Sequence, residues 1–258
     1  MDKDPKLLEQ KAYSFLAEDN FYQAFVLYQK AANIYKSRRN HKQAALCFAS
    51  AAGCWSKKSG EKTFYNAALS YEAAARESES SRDLEYASML YKYAAINYER
   101  DREFINFSDS FYHSRECCRK YLTLRLISPK KIHPITTSRE EKGIKGALKR
   151  IFHWIALTIS YLIWGHGERP LRTLFSGILV IFLAALLYTG GFLLKEGIII
   201  KPHFLEAFYF SVITFTTVGY GDFVPVGLSK LVVIIEALCG LFVMPLFVIG
   251  LTRKYLRV

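Results

Sequence analysis

The sequence predicts an all-α protein in two parts: a run of short stacked helices, then a membrane part with two spanning helices. Three observations predict it. A motif of small and aromatic residues recurs at intervals of 20 to 23 residues between Ala24 and Ser114. A block rich in Lys and Arg follows, from Arg119 to Arg150. Two long apolar runs then lie within residues 171–252. The chain has 258 residues, is 51% hydrophobic and 22% charged, and carries a net charge of +12. That length reads as one or two domains, and the composition excludes collagen, disorder and a disulfide scaffold.

The repeat is read first. Ala24, Tyr28, Ala31, Ala32 and Tyr35 recur as Ala44, Phe48, Ala51, Ala52 and Trp55. They recur again as Ala67, Tyr71, Ala74 and Ala75, and as Ala87, Tyr91, Ala94, Ala95 and Tyr98. Phe107, Phe111 and Ser114 form a weaker fifth copy. Spacings of 4, 3 and 4 put these residues on one helical stripe, so each unit is one helix and a short turn. Turns are expected at 37–40, Ser59-Gly60, 78–81 and 100–102. Small residues let neighbouring helices approach, aromatics fill the space between them, and stacked helix pairs make a solenoid. The strings AFVLYQKAANIYK and AALCFASAAGCW resemble the soluble NSF attachment proteins and, more loosely, the tetratricopeptide class, over roughly residues 5–122. The resemblance implies a cytoplasmic repeat domain at 1–122 that binds a protein or ligand partner on its concave face.

Met1-Asp2-Lys3-Asp4-Pro5-Lys6 leads into an amphipathic segment, so no secretory signal is expected there. The five cysteines, Cys47, Cys54, Cys117, Cys118 and Cys239, form no C-x-x-C pair and read as reduced thiols of a cytosolic compartment. The six histidines show no metal-ligand spacing, and no catalytic constellation stands out, so an enzyme is not expected.

Residues 123–150 read as a basic linker. From Arg119 to Arg150 ten Lys or Arg face only Glu140 and Glu141, a balance of +8. Pro129 and Pro134 break any long helix there. Beside a membrane segment such a block favours anionic headgroups; a solvated connector is the bland alternative, and no nucleic-acid motif accompanies the charge. Residues 151–164 form an apolar run of 14, short of the about 20 a span needs. Trp154, Tyr161 and Trp164 suit a headgroup boundary, so 151–170 reads as an interfacial helix and a turn, with a short core or re-entrant helix as the other reading.

Residues 171–194 and 228–252 are long enough to cross a bilayer. Basic residues flank them at Arg169, Arg172, Arg253, Lys254 and Arg257, which with the linker places both termini in the cytoplasm of a multi-pass protein of the cell membrane. Between the runs lies EAFYFSVITFTT, then Thr217-Val218-Gly219-Tyr220-Gly221-Asp222. Gly219 and Gly221 can take backbone angles that a β-carbon forbids, which lets the carbonyls of one strand line up.

This segment resembles the pore loop of two-span potassium channels, over about residues 166–256. The resemblance implies an ion channel pore domain at 171–258 with an outer helix at 171–194, a pore helix at 204–216, a filter at 217–221 and an inner helix at 228–252. Potassium ions would be held by the carbonyls of Thr217, Val218, Gly219 and Tyr220 and by the Thr217 hydroxyl, with Gly221 closing the filter. One loop supplies one wall, so a homotetramer is implied. Thr216, Asp222, Tyr209 and Phe210 would support the filter, the aromatics with Tyr220 as a packing cuff. Some family members carry a glutamate where this chain has Ile213, so Asp222 is expected to lack that partner. Gly240 resembles the family's hinge, and Pro245 removes a helix hydrogen bond one turn on, which would bend the inner helix above a gate near Phe247 and Leu251. Packing is the alternative for both. Glu236 is an acid inside a span, read either as functional or as a polar support near the outer pore. Two spans leave no room for an arginine-rich voltage sensor. The rival readings are a weakly selective cation channel and a membrane-anchored adaptor.

Overall fold

The computed structural model describes residues 4–57, 62–128 and 144–255. The turn at Ser59-Gly60, Pro129, Pro134 and most of the basic linker lie outside the described residues. The chain divides into two compact units, Met1–Thr158 and Ile159–Arg257.

The first unit is built from α1 (Pro5–Ala17), α2 (Phe21–Ser37), α3 (His41–Lys57), α4 (Thr63–Ser80), α5 (Leu84–Arg100) and α6 (Phe104–Ile127). Each helix packs chiefly on the next in sequence. The repeating stripe is the core: Ala24, Ala44, Ala67 and Ala87 are fully buried, as are the alanine pairs that follow each of them. Tyr28, Phe48, Tyr91 and Tyr98 fill the space between helices. Burial pushes the thiol of Cys47 up to about 12 and that of Cys54 up to about 11, which leaves both protonated and chemically quiet.

One connection recurs between these helices. Asp19, Arg39, Arg82 and Arg102 each take a left-handed conformation after the C-cap. In each case the amide of the next residue donates to the carbonyl five back: Asn20 to Phe15, Asn40 to Tyr35, Asp83 to Ser78 and Glu103 to Tyr98. That is a Schellman ending made without glycine. The next helix starts at once, and the side chains of Asn20, Asn40 and Asp83 accept amide hydrogen bonds from Gln23, Gln43 and Tyr86. Across three helices Glu77 of α4, buried, accepts from Lys36 of α2 at 3.0 Å and pairs with His41 of α3 at 2.7 Å. Burial alone would raise this carboxyl, but the His41 and Lys36 bonds outweigh it and hold it below its ordinary value.

Helix α6 continues past residue 122 to Ile127 and stops at Ser128, whose φ of −139° is the extended geometry required before Pro129. Helix α7 (Ile144–Trp164) starts inside the expected linker and runs through the expected interfacial segment as one helix. Trp154 Nε1 donates to Thr123 Oγ1 at 2.8 Å, and Leu157 packs with Tyr121 and Leu122. Leu148, Phe152, Ile155, Ile159 and Leu162 are exposed on this helix.

The second unit holds α8 (Pro170–Thr189), β1 (Phe192–Lys195), β2 (Ile198–Ile200), α9 (Phe204–Phe215), β3 (Phe223–Val226) and α10 (Ser229–Tyr255). The expected outer helix at 171–194 is thus shorter. Gly190 and Gly191 end it, because paired glycines propagate a helix poorly. Its last expected turn is a strand instead. Glu196 and Gly197, both at positive φ, make the two-residue turn that folds β1 back on β2. Strand β1 also pairs with β3, giving a small antiparallel sheet in the order β2-β1-β3. The expected pore helix ends one residue early, with Thr216 as its C-cap, and the expected inner helix runs on to Tyr255. Helices α8 and α10 are long enough and apolar enough to cross a membrane. Most of their large apolar side chains are exposed, so they are not the core helices of a water-soluble fold.

Two outcomes are expected for the first unit. Arg82→Gly removes the strain of a left-handed non-glycine residue and should raise its unfolding free energy by about 0.5–1 kcal/mol in urea titration. Glu77 is ionised to lower pH in the folded than in the unfolded chain, so its clamp stabilises above the ordinary carboxylate value and weakens as pH falls through the folded one. Unfolding followed below about pH 4.5 should show this loss in the parent protein, and Glu77→Gln should lack it.

Candidate functional site

The site begins where α9 ends. Thr216 caps the helix, its amide and hydroxyl both donating to the Val212 carbonyl, at 3.0 and 2.7 Å. The Ile213 carbonyl then accepts from two amides of the following loop, Val218 at 2.9 Å and Gly219 at 3.2 Å. This double bond to one oxygen pins the loop directly beneath the helix end.

Beyond it the backbone alternates in handedness. φ is +57° at Thr217, +52° at Gly219 and +80° at Gly221, and is not positive at Val218 or Tyr220. This alternation in the sign of φ departs from an extended strand, in which successive carbonyls point to opposite sides. The two glycines are needed for their angles and not for space, since a β-carbon at either would meet nothing within 4 Å. Thr217 is β-branched, and at positive φ it is a strained residue, of order 1–3 kcal/mol, that its surroundings must hold.

Residues 217–222 are exposed in the single chain, Tyr220 at 72%. The sequence-predicted supports separate accordingly. Phe210 is buried edge-on against Tyr188 at 4.9 Å and near Phe223 at 6.2 Å, so it packs toward α8 and β3. Tyr209 is half-exposed over Phe223, close to Asp222. Tyr220 makes no ring contact among the described residues. The expected cuff of Tyr209, Phe210 and Tyr220 is therefore not assembled within one chain, because consecutive residues of a helix face different ways. Ile213, which stands where some family members carry a glutamate, offers Asp222 no carboxyl partner. Ile213 is buried in the apolar cluster of Ala184, Tyr188, Leu193, Ala207, Phe210 and Phe223.

Phe215, which sequence reasoning did not single out, locks the last turn of α9. A β-carbon at Gly177 of α8 would come within 3.3 Å of the Phe215 ring, and one at Gly240 of α10 would overlap the Phe215 carbonyl oxygen. Glycines in mid-span were the available signal. Gly240 is thus first a contact residue, at which α10 crosses the end of α9 backbone to backbone. Pro245 lies exposed on α10. Phe215 and Thr216 also line an open apolar pocket of about 160 Å³ with Gly177, Val243 and Phe247. At the other end of α9, Glu206 accepts from the His203 amide at 3.2 Å and from Lys195 of β1 at 3.0 Å, which ties the sheet to the helix start. Glu236, only 2% exposed, is hydrogen-bonded to Tyr188 and to Ser211, so the polar support is assembled across α8, α9 and α10.

Residues 174–257 match a family model, Ion_trans_2, described as an ion channel. The match takes in the end of α9, the alternating loop and the crossing at Gly240, and it indicates an ion channel with permeant ions as its cargo. With the two exposed apolar helices it marks a membrane protein. No curated protein and no solved structure matches the chain.

Gly240→Ala should push α10 away from α9. The expected loss is about 1–3 kcal/mol or more, read as a lower thermal unfolding midpoint of the detergent-solubilised protein.

Proposed function

We propose that the protein is a potassium-selective channel, a homotetramer whose filter is the loop at Thr217, Val218, Gly219, Tyr220 and Gly221. The single observation that carries this reading is the positive φ at Thr217, Gly219 and Gly221, every second residue, a backbone in which consecutive carbonyls can be turned to one side. A potassium ion gives up its water only to a cage of oxygens that replaces it. One loop makes one wall of such a cage, and four chains close it. Irregular backbone at membrane depth must line water or be covered by protein. Residues 217–222 are covered by nothing in their own chain, which fits copies meeting around them. The C-terminal end of α9, the negative end of its dipole, favours a cation below the filter.

The rest of the chain takes supporting roles in this reading. Tyr209 lies close to Asp222 at the filter exit. Gly240 and Pro245 let α10 bend, with Phe247 and Leu251 at the constriction. The first unit is a cytoplasmic repeat domain like the soluble NSF attachment proteins, whose partner or ligand biases the inner helices. Helix α7 lies on the inner leaflet: its exposed apolar stripe from Leu148 to Leu162 faces lipid, with Lys145, Lys149 and Arg150 against anionic headgroups. Both termini are then cytoplasmic.

Reconstituted into vesicles under opposed potassium and sodium gradients, the protein should give a current that reverses near the potassium equilibrium potential and is blocked by barium. A current reversing midway between the two ion potentials would make it a weakly selective cation channel. Deleting residues 1–120 should change open probability, and an unchanged value under every condition tried would remove the regulatory role of the first unit.

A further inference from the structure

Three hydrogen bonds meet at the crossing of α8, α9 and α10. Tyr188 Oη lies 2.6 Å from Glu236 Oε2. Ser211 Oγ bonds Glu236 Oε1, and the same Ser211 Oγ lies 2.8 Å from the Ile181 carbonyl oxygen. Each bond takes a proton of its own at full strength. The Ile181 carbonyl has none to give, and the hydroxyls of Tyr188 and Ser211 have one apiece. With an ionised carboxyl the one Ser211 proton is split between the Ile181 carbonyl and Glu236 Oε1, which weakens both bonds. The third proton has one source, the Glu236 carboxyl itself. The assignment that uses all three runs in one direction: Tyr188 donates to Glu236 Oε2, Glu236 Oε1–H donates to Ser211 Oγ, and Ser211 donates to the Ile181 carbonyl.

The surroundings agree. The polar partners of Glu236 among the described residues are Tyr188 from α8 and Ser211 from α9. None of the ion pairs among the described residues includes it. A buried carboxylate with no cation beside it, inside a span, is far costlier than a neutral acid that makes every hydrogen bond offered.

We infer that Glu236 is a positioning residue of the pore, held as the neutral acid so that it can donate to Ser211 while accepting from Tyr188. Ser211 sits two residues before Ile213, the carbonyl of which receives the Val218 and Gly219 amides. The acid therefore ties the inner and outer helices to the turn of α9 from which the loop hangs. This role rests on the reading of 217–221 as a filter; the proton on Glu236 does not.

Two measurements on the full-length protein in bilayers test it. Infrared absorption at neutral pH should show the carbonyl band of a protonated carboxylic acid that disappears in Glu236→Gln. An unchanged spectrum in that region between the two proteins would overturn the inference. In flux assays, Glu236→Gln keeps one donor and one acceptor and should retain potassium over sodium selectivity within about twofold. Glu236→Ala loses both and should lower selectivity about tenfold or more. Loss in Gln equal to that in Ala would also overturn the inference, because a neutral side chain with the same hydrogen bonds would have failed to substitute. If the parent protein itself shows no potassium selectivity, the reading of the filter fails, and the infrared band still decides the proton.

Discussion

Everything at the site depends on how the last turn of α9 is held. Its side chain Phe215 is lodged at Gly177, its backbone carbonyl meets α10 at Gly240, and Ser211 one turn earlier is fixed by Glu236. From that anchored turn a single oxygen, the Ile213 carbonyl, takes both Val218 and Gly219 amides. The loop has no covering of its own. It keeps a strained Thr217 and two left-handed glycines because the helix above it cannot move independently of its neighbours.

The small sheet does the same work on the other side. A hairpin and one more strand connect the end of α8, the start of α9 and the start of α10. Lys195 carries the connection to Glu206, and Phe223 sits against Tyr209 and Phe210. The loop therefore runs between a fixed helix end and a strand paired to that helix's own support.

The first unit follows a separate logic. Its helices are joined by one connection used four times, a left-handed residue followed at once by an N-cap, and each helix packs on its predecessor. Alanines bring the helices together and tyrosines seat their hydroxyls on acids of the neighbouring helix, as Tyr98 does on Glu72 at 2.9 Å and Tyr91 on Glu79 at 2.9 Å. Helix propensity and the stripe alone account for most of this architecture.

The repeat, its stripe and the two apolar helices were legible in the sequence because they are periodic or long, and period and length are local properties. The string from Thr217 to Gly221 stood out through its resemblance to a known pore loop, with two glycines that permit unusual backbone angles. Other features were not. Phe192 to Lys195 read as helix because apolar runs do not declare strand or helix, and only pairing to β2 and β3 decides. Phe210 and Tyr209 meet different neighbours, and Gly240 meets the Phe215 carbonyl. Glu236 met Tyr188 and Ser211, 48 and 25 residues away. Sequence by itself determined the elements and the chemistry available to them. The tertiary structure decided which side chains meet, because contact between distant residues depends on the crossing of helices, which no local pattern records.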